Sequence, residues 1–181
     1  MPDGAPYQRF DEKPYESKYF IIDTVIDHPP EAVWPHASNI GSWMSDHRLV
    51  TLEGEPGSVG HFERVYADVG DDVPEPRSHV YGVAQLVPPT YIGLEVFSEK
   101  GGSYGDPREF LSFDTILLTD IGGKTKLTFL VLEVRPGEQP PISEQTREIE
   151  ETFRASYEDR ARRYFENLSR VVEAAQAAAP T

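Results

Sequence analysis

The chain has 181 residues, no cysteine, and 31 acidic against 17 basic side chains, for a formal charge of −14. The length suits one domain with a sizeable core. The charge repels phosphate backbones and anionic membrane surfaces, so nucleic-acid and membrane-surface partners are disfavoured. The missing cysteines remove disulfides, thiolate nucleophiles and Cys-ligated metals.

Residues 1–17 are polar and broken by proline and glycine, with Tyr7, Phe10 and Tyr15 among them. They read as an extended lead-in to a domain over 18–178. No basic stretch precedes an apolar one there, as a signal peptide would require. No apolar run approaches the roughly 20 residues that cross a bilayer. The expected setting is the cytoplasm, without membrane insertion.

Residues 19–27, YFIIDTVID, form a β-branched run of strand length, stopped by His28-Pro29-Pro30. In EAVWPHASNIGSW, Ala32, Val33, His36 and Ala37 fall at helical spacing, which predicts one or two short helices interrupted near Pro35 and Gly41. Six strand-like segments follow, at 47–53, 59–68, 78–87, 91–99, 110–119 and 124–134, each bounded by Gly, Pro or Asp. Short connections imply an antiparallel meander. The last two are joined through Gly122-Gly123, a tight turn that admits positive φ. After Pro140-Pro141, Ser143 can cap a helix of about 30 residues. Its apolar or small positions Ile149, Phe153, Tyr157, Ala161, Tyr164, Leu168 and Val172 recur every three or four residues. One apolar stripe on so long a helix needs a surface to lie along, and the sheet is the only one available.

Particular residues carry a resemblance. Ile26-Asp27-His28-Pro29-Pro30-Glu31-Ala32-Val33-Trp34 is similar to an opening strand that runs into a Pro-x-x-x-Val-Trp helix. Trp43 closes the next segment; Gly57-Ser58-Val59-Gly60, Gly122-Gly123-Lys124-Thr125 and Asn167-Leu168 follow in the matching order. Over about residues 19 to 175 the chain resembles the SRPBCC superfamily of START-like, Bet v 1-like and polyketide cyclase/dehydrase-like proteins. The resemblance implies an α+β helix-grip fold, a curved antiparallel sheet of about seven strands wrapped around the C-terminal helix. It also implies an internal cavity for a small hydrophobic ligand, aromatic or polyketide-like.

Aromatic and large apolar side chains are the candidate cavity lining. Before and within the early strands these are Trp43, Met44 and Tyr81, and in the later ones Phe97, Phe110 and Phe129. Tyr104 in the 99–109 loop and Phe153 and Tyr157 on the helix complete the set, with Asp114 as a polar member. Ordinary core packing is the competing reading for each. Polar groups in mid-strand could move a proton or polarise a carbonyl. Arg64, Tyr66, His79 and Glu95 are the candidate catalytic group. His61 and Glu63 share one strand face, and Phe62, Arg64 and Tyr66 the other. Periodicity leaves open which of the two looks inward.

Other chemistries lack their signatures. Gly122-Gly123-Lys124-Thr125 links two strands and lacks the first glycine of a phosphate loop. The five histidines form no HExxH or i,i+4 pair, so neither metal nor any other cofactor is expected. Three readings remain: a cyclase or dehydratase working by general acid/base positioning, a carrier without chemistry, and a protein-interaction module akin to a chaperone co-activator. A homodimer is compatible with each.

Overall fold

A computed structural model describes residues 15–43, 48–66, 78–98, 110–136 and 144–178. Strand β1 (Tyr15–Ile26) leads into helix α1 (Pro30–Ala37) and a 3-10 turn at Ile40–Ser42. Strands β2 (Arg48–Glu53), β3 (Phe62–Tyr66), β4 (Ser78–Val87), β5 (Tyr91–Ser98), β6 (Phe110–Asp120) and β7 (Thr125–Pro136) follow, and then helix α2 (Glu144–Ala178). The sheet order is β1-β7-β6-β5-β4-β3-β2, antiparallel throughout. The chain therefore crosses from one sheet edge to the other after β1, and the meander returns to pair β7 with β1. This is the helix-grip architecture, as expected.

Two local expectations are corrected. Strand β1 starts at Tyr15, inside the expected lead-in, because Glu16 and Ser17 continue the ladder with Arg135 and Val134. The apolar pattern of the strand begins later, so composition misses its first residues of pairing. Helix α1 passes through Pro35 without a break. Pro35 and Glu31 are both exposed, so the carbonyl that loses its donor faces water.

The sheet's concave face is where apolar alternation and the helix stripe meet. Phe20, Ile22, Ile92, Leu94, Ile116, Leu118, Leu127, Phe129 and Val131 pack with Ala161, Phe165, Leu168 and Val172 of α2. The helix positions step by four, three and four, one stripe of a 3.6-residue period. Each fully buried Ile, Leu or Phe contributes about 1.5–3 kcal/mol. At the corner after β1, the Thr125 hydroxyl donates to the His28 carbonyl at 2.7 Å, tying the start of β7 to the start of α1. The β6–β7 turn takes φ of 81° at Gly122 and 84° at Gly123, with the Ile121 amide donating to the Lys124 carbonyl.

On the convex face, Phe62 lies against Gly82, where a Cβ would overlap its ring. Tyr19, Leu132 and Phe113 are neighbours in one ladder row across β1, β7 and β6, and all three are exposed.

Candidate functional site

Strand register settles which side chains meet on the concave face. Val83, Leu94, Asp114 and Val131 lie opposite one another across β4, β5, β6 and β7. Asp114 is thus a carboxyl set among aliphatic neighbours, and only 2% of its surface is exposed. The adjacent row runs Glu63, Tyr81, Val96, Ser112 across β3 to β6. The Ser112 hydroxyl donates to Asp114 Oδ1 at 2.8 Å.

Burial raises the Asp114 pKa from the ordinary 3.8 to about 7, against the opposing effect of the Ser112 hydrogen bond. One donor is too little to stabilise a carboxylate that has lost its water. Tyr81 is half-buried and packs against the core. Burial of its hydroxyl pushes its pKa up, and nearby Asp114 and Tyr164 push the same way, while Arg160 opposes them. Strands β4 and β6 therefore bring a phenol and a protonatable carboxyl together, and α2 adds a guanidinium and a second phenol within electrostatic reach. Such a group can exchange a proton at neutral pH, polarise an oxygen and support developing negative charge.

The four candidate catalytic residues are divided by the sheet. His79 lies opposite Val65 and on the same face as Tyr81, towards the helix. Arg64, Tyr66 and Glu95 lie on the convex face: β3 turns Glu63 and Val65 inward, and Glu95 pairs with Gly82 rather than with an inward residue. The Arg64 guanidinium sits 6.0 Å from the centre of the Tyr66 ring on that outer side. Phe97 pairs with Val80, also away from Tyr81, after an irregularity at Val96/Phe97.

Trp43 is 1% exposed and belongs to the packed interior. Its ring meets Tyr164 and Phe165, and its indole N–H donates to the Ala37 carbonyl at 3.2 Å. Phe129 stacks edge-on to Phe165 with centroids 5.8 Å apart. Both are packed core at the C-terminal half of α2. Met44 and Tyr104 lie outside the described residues, and Phe110, Phe153 and Tyr157 fall on β6 and α2 where side chains are not described. Arg160 and Tyr164 form an i,i+4 pair on the helix. Tyr164 was visible as part of the apolar stripe; Arg160 carries no signal until the helix is laid on the sheet. Among the described residues, no group of three or more His, Asp or Glu could hold a metal ion, and no helix is long and apolar enough to cross a membrane.

Neither a family model nor a curated protein matches the sequence. Solved structures do match in shape. A protein of unknown function from Staphylococcus aureus superposes with a TM-score of 0.66 at 11% identity, covering 90% of this chain and 98% of its own. Ara h 8.0201 gives 0.60 at 13%, covering 88% and 99%. The Zhui aromatase/cyclase from a Streptomyces species gives 0.61 at 12%, covering 87% and 94%. The likeness is one of fold, the helix grip that the sequence resemblance implied.

Proposed function

We propose that the chain binds a small apolar molecule, aromatic or polyketide-like, between the concave face and α2, and that Asp114 moves a proton on it. One observation carries the reading: the Asp114 carboxyl, 2% exposed, stands in an aliphatic wall beside Tyr81, where burial pushes its pKa up to about 7. A leucine or asparagine there would cost the fold less, and a titratable group kept at such a site is a mark of chemistry. The shape likeness to an aromatase/cyclase supports the same class of substrate.

In the proposed reaction, Arg160 and Tyr81 polarise a carbonyl oxygen of the bound molecule. The Asp114 carboxylate removes a proton from the adjacent carbon, and the resulting enolate attacks a second carbonyl of the same chain. The carboxyl returns that proton to the alkoxide so formed, giving a hydroxyl. As a carboxylate again it removes the second proton of the same carbon and delivers it to that hydroxyl, which leaves as water as a carbon–carbon double bond forms. Confinement supplies the remainder, because a folded conformation of the substrate brings the reacting carbons together.

Thermal shift against uncharged aromatic and polyketide-like compounds tests binding. A ligand at 100 times its Kd stabilises by about 2.7 kcal/mol. Asp114→Asn should keep that shift and lose turnover. If no compound shifts the protein and native mass spectrometry finds it empty as purified, the reading fails. Binding without turnover in the native protein leaves the carrier, and unchanged turnover in Asp114→Asn removes Asp114 from the chemistry.

The exposed row Tyr19, Leu132, Phe113 favours a second reading, an interaction module that associates through the convex face. Sedimentation velocity of the protein and of Phe113→Asp checks it. A concentration-dependent dimer lost in the variant supports this face; a monomer in both removes it.

A further inference from the structure

Away from Asp114, a second pair of buried titratable groups stands where β2, β3 and the 3-10 turn meet. His61 is 1% exposed and Glu63 6%. His61 immediately precedes β3 and Glu63 is the second residue of that strand; both are turned into the interior, with the ring and the carboxyl facing each other. The His61 ring is oriented by the β2–β3 connection: Nδ1 lies 3.1 Å from the Glu53 carbonyl oxygen and 3.3 Å from that of Gly54. Both are acceptors only, so Nδ1 carries the hydrogen and donates it. That leaves Nε2 of a neutral ring as a lone pair. Nε2 lies 3.8 Å from Glu63 Oε2, and among the described residues neither atom has a hydrogen-bond partner.

A neutral imidazole with its hydrogen on Nδ1 and an ionised carboxylate would thus present lone pair to lone pair in a buried place. Burying two such acceptors face to face costs both desolvation and repulsion. One proton on the axis removes both, as imidazolium with carboxylate or as imidazole with carboxylic acid. We infer that His61 and Glu63 hold one shared proton in the folded protein, and that its loss at higher pH loosens the 3-10 turn from the β2–β3 connection. The inference is independent of any ligand.

The geometry says what the proton holds together. Glu63 Oε1 lies where it would be 2.8 Å from a Cβ at Gly41, so the carboxyl rests on the backbone of the 3-10 turn. His61 clasps the connection to β2 through two carbonyls. The pair is the bridge between these elements. Among the described residues, few other titratable groups face it, His79 of β4 being one on the same inward face. The 3-10 turn, Ile40–Ser42, has no titratable side chain. From β2, Glu53 reaches it through its backbone carbonyl, and the exposed Glu55 follows in the connection. From β4, Tyr81 is the cross-strand neighbour of Glu63. Burial raises the Glu63 pKa, against the opposing effect of the neighbouring His61 ring. A raised folded-state pKa means stability present at low pH and lost as pH rises through that value.

The experiment combines nitrogen-15 NMR of the His61 ring with amide hydrogen exchange across a pH series, on the full chain and on Glu63→Gln. The glutamine amide can donate to Nε2 at any pH. In the native protein, Nε2 should show a protonated or strongly hydrogen-bonded shift at neutral pH. The Ser42 and Trp43 amides, which donate to Asn39 and Ile40, should exchange at least tenfold faster once the proton is lost, beyond the intrinsic rise with pH. In Glu63→Gln that excess should vanish. A bare Nε2 shift at neutral pH in the native protein overturns the inference whether or not the variant folds. The same excess in a folded Glu63→Gln also overturns it.

Discussion

Replacing Asp114 with asparagine separates a structural carboxyl from a titrating one. The folded-state pKa is raised from 3.8 to about 7 by burial, so the folded protein holds this proton more tightly than the unfolded chain. Its contribution to stability is therefore complete below pH 3.8 and is lost as the pH rises through about 7. At 1.36 kcal/mol per unit, the loss is on the order of 4 kcal/mol. The asparagine side chain has nearly the same shape, still accepts from Ser112, and has nothing to ionise. Urea unfolding of both proteins at intervals from about pH 4 to about pH 8 gives the difference in unfolding free energy. Glu63 and the many surface carboxylates titrate in both proteins and cancel in that difference. The variant should gain on the native protein steadily from about pH 4 to about 7 and level off above it, ahead by up to about 4 kcal/mol. A difference independent of pH would refute the placement of Asp114 in a dry apolar wall. So would an advantage that grows as the pH falls.

Other substitutions probe the frame around the site. Thr125→Val keeps the shape and removes the hydroxyl that donates to the buried corner at His28; chemical denaturation should show a loss of about 1–2 kcal/mol. Trp43→Ala empties the packing between α1, Tyr164 and Phe165 and should cost about 3–5 kcal/mol, read as a lower denaturation midpoint at unchanged m-value. Gly82→Ala drives a methyl into the Phe62 ring and should cost about 1–3 kcal/mol although it lies on the outer face. Glu95→Gln, on the convex face, should leave ligand-induced shifts in melting temperature unchanged; a lost shift would place it at the site after all.

Much of the fold is legible in the residues because it rests on local periodicity. Alternation with Gly and Pro punctuation marks the strands, and the stripe through Ala161, Leu168 and Val172 marks a helix that must lie on a sheet. The inward phase was not legible. Alternation in β3 sorts Glu63 and Val65 from Arg64 and Tyr66, yet both sets mix polar with apolar groups, and only pairing with β4 decides which set meets the helix. Asp114 was visible as a polar residue in a strand, but its raised pKa depends on Leu94 and Val131 beside it, which arrive from separate strands. The electrostatic reach of Arg160 to Tyr81 depends on how a helix of 35 residues lies against the sheet. Sequence by itself determined the elements, their order and the acidic, cysteine-free chemistry, because those follow from residues near one another in the chain. Tertiary structure alone decided which side chains share a dry space, because burial and charge coupling act between residues that the chain keeps far apart.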